Sequence, residues 1–405
     1  MKKHLSLLAA AAVSAGVLAG VSGAGAAGAS YPAIPAGPIV IGATTPLSGA
    51  TAAYGQSTEE SFDNVTIKAF NAEFPDGIDG HPIKLVFLDD QGTVTGGVQS
   101  AEQLVSEHVA AVVTLSYNPE ATLQQAVVLN HAHIPVISVL SYSQFVNTKA
   151  YPYDFATGAS IPQEAVATAK WLKAEGLTRL AVVDDGETAT SEVLASLKAE
   201  LPKYSPKTKI VTVQQVSPAA VEVSPQIAAV KAANPDAVYV DTGEAYGPIW
   251  QAMQTDGLTN VKILASAGAW YDSFSAMGPL AANAYAPYDD CAPSASTAYP
   301  AQLTDLMGQY SAATYGYSTN YRTYVATDTV PLLLLKYAIE KEHSDTPDAI
   351  KAGIESIHNQ DFDTFEYNFS PTNHFGIEGS DSAAVCQMAA PYAGGVGKIP
   401  VISKG

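Results

Sequence analysis

The sequence predicts an α/β protein made of two Rossmann-like blocks with parallel-sheet cores, and three observations carry that expectation. Short β-branched runs alternate with segments whose apolar residues recur at helical spacing. The rhythm restarts near Tyr153. The chain, 405 residues long, is too large for one ordinary core and suits two.

In the first block the expected strands are Ile39 to Ala43, Ile83 to Phe87, Ala110 to Thr114 and Pro135 to Val139. Phe62, Val65, Ile67, Ala69 and Phe70 mark one helical face between them, and Ala101, Leu104 and Val105 another. Strands apolar on both faces and separated by helices imply parallel pairing and βαβ units. The second block repeats the pattern with Leu180 to Val183, Ile210 to Val213, Ala237 to Val240 and Ile263 to Ala265. After about residue 283 helices are expected around 300–313, 320–342 and 346–356. A turn-rich tail of short strands follows, marked by Asn373, Gly376, Gly379, Gly394, Gly395 and Gly397. No low-complexity linker separates the blocks, so several strand crossings are expected to join them.

Lys2 and Lys3 precede an apolar run, Leu5 to Leu18, and small residues ending in Ala27-Gly28-Ala29. That is the layout of a secretory signal peptide over 1–29, cut after Ala29. The run is too short for a lasting membrane anchor. A lipid-anchored protein would carry Cys where Leu18-Ala19-Gly20 is followed by Val21, so a free periplasmic or secreted protein is expected. The densest later apolar stretch, Val330 to Leu335, contains Pro331. Loss of Lys2 and Lys3 takes the formal charge from -19 to -21. With only Arg179 and Arg322 as arginines, the chain lacks the basic clusters that nucleic acid requires. Cys291 and Cys386, the only cysteines, are too few for a metal cage and suit a pair in an oxidising compartment.

No motif supports catalysis. The match Gly23, Gly25, Gly28 to a dinucleotide fingerprint lies in the leader with no strand before it. No phosphate-binding loop and no nucleophile elbow occurs, so no enzyme and no cofactor are expected. His131 and His133 lack an evident third metal ligand. Asp89-Asp90 and Asp289-Asp290 follow strands, where caps and turns are the commoner use of Asp. Three strand-end loops remain. They are Thr44 to Gly49 with Ala53-Tyr54-Gly55, then Leu115 to Asn118, then Leu140 to Ser143. Each offers hydroxyls or amides of the kind that bind anions beyond the carboxyl ends of parallel strands. Taken singly, each also reads as an ordinary cap or turn.

At these residues the chain resembles the type I periplasmic binding proteins of the branched-chain amino acid (leucine/isoleucine/valine) receptor family. The resemblance rests on Ile39-Val-Ile-Gly42, Pro46-Leu-Ser-Gly49, Ala53-Tyr-Gly55, Asp76-Gly-Ile-Asp-Gly80, Pro82-Ile-Lys-Leu-Val86 and Asp89-Asp90. Ser224-Pro-Gln-Ile227 and Lys231-Ala-Ala-Asn-Pro-Asp-Ala-Val-Tyr239 continue it, and it covers about residues 38 to 401. It implies a monomeric clamp of two lobes joined by three crossover segments, handing its ligand to the membrane permease of an ABC importer. The lobes would be 38–155 plus 286–370, and 156–285 plus 371–405. Ser48, Ser116, Tyr117, Asn118, Ser141 and Ser143 would face a ligand carboxylate, with Tyr54 as a wall. Asp241, Glu244 and Trp270 would close the other side, and Tyr246 and Tyr271 would add apolar walls. A Cys291–Cys386 disulfide near the crossovers completes the expectation.

The chain also departs from that family. Ala267 stands where the family's amino acid binders place an acid for the ammonium, and Asp184 to Ala189 lacks the family's aromatic. A buried ammonium without a partner costs several kcal/mol. The expected ligand is therefore a small carboxylate, or an amino acid held differently, with Arg322 as a further carboxylate partner. Arg322 also reads as a loop cap or a partner of Asp328. A sensor built on the same clamp is the first competing function, and an enzyme on a Rossmann-like scaffold the second.

Overall fold

The computed structural model describes residues 30–49, 52–116, 118–139, 147–218, 220–242, 245–266, 274–288, 306, 309–310, 313, 322–362, 365–377 and 383–388. Five parallel strands form the first sheet in the order β2-β1-β3-β4-β5. They are β1 (Ile39–Thr45), β2 (Ile83–Asp89), β3 (Ala111–Thr114), β4 (Val136–Ser138) and β5 (Asp154–Ala156). Helices α1 (Ala52–Ser61) and α2 (Ile67–Glu73), joined by a π-helical turn at Phe62–Thr66, lead to β2. Then α3 (Val94–Ser106) and α4 (Pro119–His131) connect the strands that follow.

β1, β3 and β4 have no solvent face because apolar layers cover both sides. Ile39, Ile41, Val113 and Phe155 pack with Phe62 and Phe70 on one side. Leu104, Val112, Leu129 and Val136 pack together on the other. Each fully buried side chain of this size contributes roughly 1.5–3 kcal/mol.

The second sheet follows the order β13-β10-β9-β8-β6-β7. Its strands are β6 (Arg179–Asp184), β7 (Lys209–Gln215), β8 (Ala237–Asp241), β9 (Lys262–Ala265), β10 (Ala284–Tyr288) and β13 (Ala384–Gln387). All pairs are parallel except β10 with β13. Helices α5 (Ile161–Ala174) and α6 (Thr188–Tyr204) cover one face, where Trp171, Leu197 and Leu201 meet Leu180, Val182 and Tyr239. Helices α7 (Ser224–Ala232) and α8 (Tyr246–Thr255) cover the other, where Trp250 and Ile227 meet Val183, Val238 and Val240.

The chain passes between the lobes three times. The first passage follows β5. The second follows β10, after which α9 (Arg322–Glu342) and α10 (Pro347–Glu355) bring Leu332, Leu335, Ile350 and Ile354 into the first core. Gly353 lets these two helices touch, because a Cβ there would lie 2.6 Å from the Cα of Ala338. Short strands β11 (Gln360–Phe362) and β12 (Phe365–Tyr367) follow, and the third passage leads from Ile377 to β13. The sequence reading placed the last two passages at 286 and 371. Pairing of Tyr285 to Tyr288 with β13 keeps β10 in the second sheet to its end, and Ile377 still packs in the first core. Cys386 is buried in β13, and Cys291 lies outside the described residues. So do the expected leader and most of the helix expected at 300–313.

The first and third passages run side by side. Ala156 N–H donates to the His374 carbonyl and Gly376 N–H to the Ala156 carbonyl, both at 3.0 Å. Tyr367 Oη donates to the Thr157 carbonyl at 2.9 Å. His374 stacks on Phe155, with Nε2 3.0 Å from Glu355 Oε1. At the start of β5, Asp154 Oδ1 accepts from Asn130 Nδ2 at 2.7 Å, while Oδ2 is buried without a partner. Burial pushes this carboxyl from 3.8 up to about 8, against the opposing Asn130 hydrogen bond.

The folded state therefore holds the Asp154 proton over a range where the unfolded chain has released it. Its stabilising contribution is full below about pH 4 and is lost as pH rises through about 8. Urea unfolding across that range is expected to show the native chain losing stability relative to Asp154→Asn, which cannot ionise. A difference between the two that stays constant with pH would contradict this.

Candidate functional site

At the carboxyl edge of the first sheet the strand register aligns Thr44 with Thr114 and Thr114 with Ser138. Three buried hydroxyls thus stand in one row across β1, β3 and β4. Gln125, inside α4, secures the row: its Oε1 accepts from Thr44 Oγ1 at 3.0 Å and Thr114 Oγ1 at 3.3 Å. Its Nε2 donates to Asp90 Oδ2 at 3.2 Å. Asp90 Oδ1 accepts from Gly92 N–H at 2.9 Å, closing the turn before α3. Burial raises the Asp90 carboxyl, with these hydrogen bonds opposing it. Ser116 lies close enough to join that opposition, yet its buried Oγ has no partner in full hydrogen-bond geometry.

Asp89 organises the loop after β1. It accepts from Leu47 N–H at 2.8 Å, Ser48 N–H at 3.2 Å, Ser48 Oγ at 2.6 Å and Gln91 N–H at 2.7 Å. Burial works to raise its pKa, but the bonds from Ser48, Gln91 and Leu47 prevail and hold the carboxyl low. The Ser48 hydroxyl, expected to face a ligand, is thus committed to shaping its own loop. Asn118 caps α4 by accepting from Ala121 N–H at 2.9 Å. Glu120, in the first turn of that helix, accepts from the Thr188 hydroxyl at the start of α6. A helix N-terminus is a favourable place for a carboxylate, and here two such ends share one. This contact joins the start of α4 in the first lobe to the start of α6 in the second.

The second edge has the opposite chemistry. Gln215 pairs in register with Asp184, and Asp184 with Asp241, across β7, β6 and β8. Ser266, just past β9, hydrogen-bonds Asp241. Burial pushes the Asp241 carboxyl up to about 7, with Ser266 opposing and Asp185 and Asp184 adding to the rise. Asp185 caps the start of α6, accepting from Glu187 N–H at 3.0 Å and Thr190 Oγ1 at 2.8 Å. Beside this row a cavity of about 340 Å³ is lined by Asp184, Ser191, Lys198 and Gln215 among others. Burial raises the Asp184 carboxyl, and Lys198 draws it back.

Tyr246 was expected as an apolar wall. It is instead 3% exposed in the first turn of α8, with its hydroxyl bonded to Ser266 Oγ and accepting from Thr242 N–H at 3.3 Å. Thr242 Oγ1 is buried without a partner.

Of the residues expected at the site, Ser116 follows β3, Asn118 caps α4, Ser48 lies in the loop after β1 and Asp241 ends β8. Tyr54 lies in α1 and Arg322 opens α9. Tyr117, Ser141, Ser143, Glu244, Ala267, Trp270, Tyr271, Asp289 and Asp290 lie outside the described residues. His133 stacks on Tyr153. Sequence reasoning missed Gln125, Glu120 and Thr188, whereas Thr242 belongs to the loop from Asp241 to Glu244 that the sequence places at the closing side.

Residues 38–389 match the family described as periplasmic binding protein. A type 1 periplasmic binding protein from Bordetella pertussis Tohama I shares 21% identity, over 86% of this chain and 96% of that one, with a TM-score of 0.72. A leucine binding protein from Thermotoga maritima MSB8 shares 18% over 86% and 95%, with a TM-score of 0.67. A solute binding protein of an ABC transporter from Rhodopseudomonas palustris HaA2, in complex with p-hydroxybenzoic acid, shares 18% over 86% and 91%, also with a TM-score of 0.67. No curated protein sequence matches the chain. With the family matched over most of its length and the two-lobed parallel architecture in common with these structures, the chain belongs to the periplasmic binding proteins.

Proposed function

We propose that this chain is the exported solute-binding subunit of an ABC-type importer, capturing a small carboxylate or amino-acid-like ligand between its lobes by hinge closure. The observation that carries this reading is a buried hydroxyl just past a strand in each lobe: Thr242 Oγ1, with no partner among the described residues, and Ser116 Oγ, whose interaction with Asp90 falls short of full hydrogen-bond geometry. A buried polar group left unpaired costs about 1–3 kcal/mol, so a ligand that satisfies both gains by touching both lobes. The first edge suits a carboxylate, with the Ser116 hydroxyl and the N-termini of α3 and α4. Ser116, Asn118, Tyr117, Ser141 and Ser143 are its proposed contacts, with Tyr54 as a wall and Arg322 as a bidentate partner. The structural neighbours named for leucine and for p-hydroxybenzoic acid fit such a ligand.

The rest of the proposal concerns export and assembly. Residues 1–29 are removed on secretion. The mature chain acts as a monomer delivering ligand to a permease. Its lobes comprise about 38–156 with 322–377, and about 157–288 with 383–388. Among the described residues no helix is long and apolar enough to cross a membrane.

Calorimetric titration with leucine, its deaminated keto acid and p-hydroxybenzoate tests the ligand class. At least one is expected to bind, and at 100 times its Kd to add about 2.7 kcal/mol of stability. Failure of every carboxylate in the panel to bind or to raise the unfolding temperature would contradict the proposal.

Cys386 is proposed to pair with Cys291, closing a loop of about 95 residues and stabilising the fold by at most about 4–5 kcal/mol. Thiol labelling of the unfolded, unreduced chain is expected to find no free thiol. Two labelled cysteines would exclude the bridge.

A further inference from the structure

Asp90, the second of the paired acids at the end of β2, is wholly buried. Its main chain is held on three sides. Asp90 N–H donates to the Thr45 carbonyl and its own carbonyl accepts from Thr93 N–H, both at 3.1 Å. Gly96 of α3 packs so closely that a Cβ there would lie 2.1 Å from the Asp90 carbonyl oxygen. The carboxyl accepts from Gly92 N–H and from Gln125 Nε2. Thr44 and Thr114 both donate to Gln125 Oε1, which fixes the amide with its nitrogen towards Asp90.

A buried carboxylate is ordinarily matched by a cation. Burial is the largest influence on Asp90 and disfavours its charged form. Gly92, Ser116 and Gln125 favour that form, and Asp89, the one charge that acts on it, disfavours it again. The other elements around the carboxyl contribute neutral groups: Thr44 from β1, Thr114 from β3, Gly96 from α3 and Gln125 from α4. Ser116, which follows β3, is the hydroxyl proposed to meet the ligand carboxylate. Its buried Oγ lies near Asp90 without completing a hydrogen bond. One hydroxyl has one proton to give. While Asp90 is charged, its carboxylate and a ligand carboxylate compete for that proton, and the two anions repel each other. A proton on Asp90 ends the competition, because Asp90 then donates to Ser116 Oγ and Ser116 donates to the ligand.

We propose that Asp90 is a positioning residue that takes up one proton from solvent when a ligand carboxylate binds, hydrogen-bonds through it to Ser116 Oγ, and so turns the Ser116 hydroxyl onto the ligand. The inference rests on the proposed carboxylate-binding function. It makes capture proton-linked: the complex holds one more proton than the free chain, so affinity rises as pH falls. The change belongs to the range above that in which exposed carboxyls titrate, because burial disfavours the charged form of Asp90 before any ligand arrives. Where the free chain is ionised at Asp90 and the complex is not, each pH unit changes affinity by up to about tenfold.

Titration calorimetry on the full mature chain tests this with whichever of leucine, its deaminated keto acid and p-hydroxybenzoate binds. Repeating each titration in two buffers of different ionisation enthalpy counts the protons taken up, and needs no variant. Uptake approaching one proton per ligand is expected within about pH 5 to 9, with affinity falling as pH rises through the same interval. Asp90→Asn places a permanent donor beside Ser116 Oγ and has no proton to gain. It is expected to bind without proton uptake and with an affinity independent of pH. Ser116→Ala removes the group through which the two carboxyls communicate, and is expected to lose the uptake with Asp90 and Gln125 unchanged.

A carboxylate that binds the native chain with no buffer dependence at any pH from about 5 to 9 would overturn the inference while leaving carboxylate binding intact. Proton uptake that persists in Asp90→Asn, or in Ser116→Ala should the first variant fail to fold, would assign the proton to another group and overturn it too. If none of the three probes bound, the carboxylate reading itself would fall, and this inference with it.

Discussion

Two main-chain hydrogen bonds, Ala156 N–H to His374 and Gly376 N–H to Ala156, tie the strand leaving the first lobe to the strand returning through it. Everything else in the arrangement depends on that pairing. It fixes where the second sheet begins relative to the first, and it brings buried polar groups to the boundary between the lobes. Asp154, His374 and Glu355 are enclosed at this point, and their hydrogen bonds specify one geometry more sharply than apolar packing would. A passage held by a few main-chain bonds between two separately packed cores is also where rigid-body rotation meets least resistance.

From that constraint the site follows. Parallel strands deliver every loop and every helix N-terminus to the same edge, so two such sheets set edge to edge enclose two layers of polar groups. The first layer is stabilised from within by Gln125 and Asp90, which hold the Thr44 and Thr114 hydroxyls in place. The second carries the carboxyls of Asp184, Asp185 and Asp241, which Lys198, Thr190 and Ser266 partner. The Glu120–Thr188 contact joins the start of α4 to the start of α6 across the two lobes.

Much of the fold was legible in the sequence because its signals are local. The runs at Ile39, Ile83, Ala110 and Leu180 are strands, and the restart near Tyr153 falls at β5, where the chain leaves the first sheet. The strand-end positions of Ser116, Asn118 and Asp241 were legible for the same reason. What stayed hidden depends on register and on distant partners. Nothing near Asp184 indicates that it stands beside Asp241, and nothing near Gln125, one polar residue in a helix, shows that it secures two threonines. Tyr246 passed for an apolar wall because the hydroxyl of Ser266, which engages it, comes from another strand end. The bond from Ser48 Oγ to Asp89 was hidden because Asp89 comes from the neighbouring strand.

The central claim is that a ligand is enclosed by loops from both lobes turning about the Ala156–Gly376 passages. Small-angle scattering of the mature chain, alone and saturated with the carboxylate that most raises its unfolding temperature, tests this most directly. A smaller radius of gyration in the presence of ligand is the predicted result. An unchanged radius at saturation would contradict capture between hinged lobes.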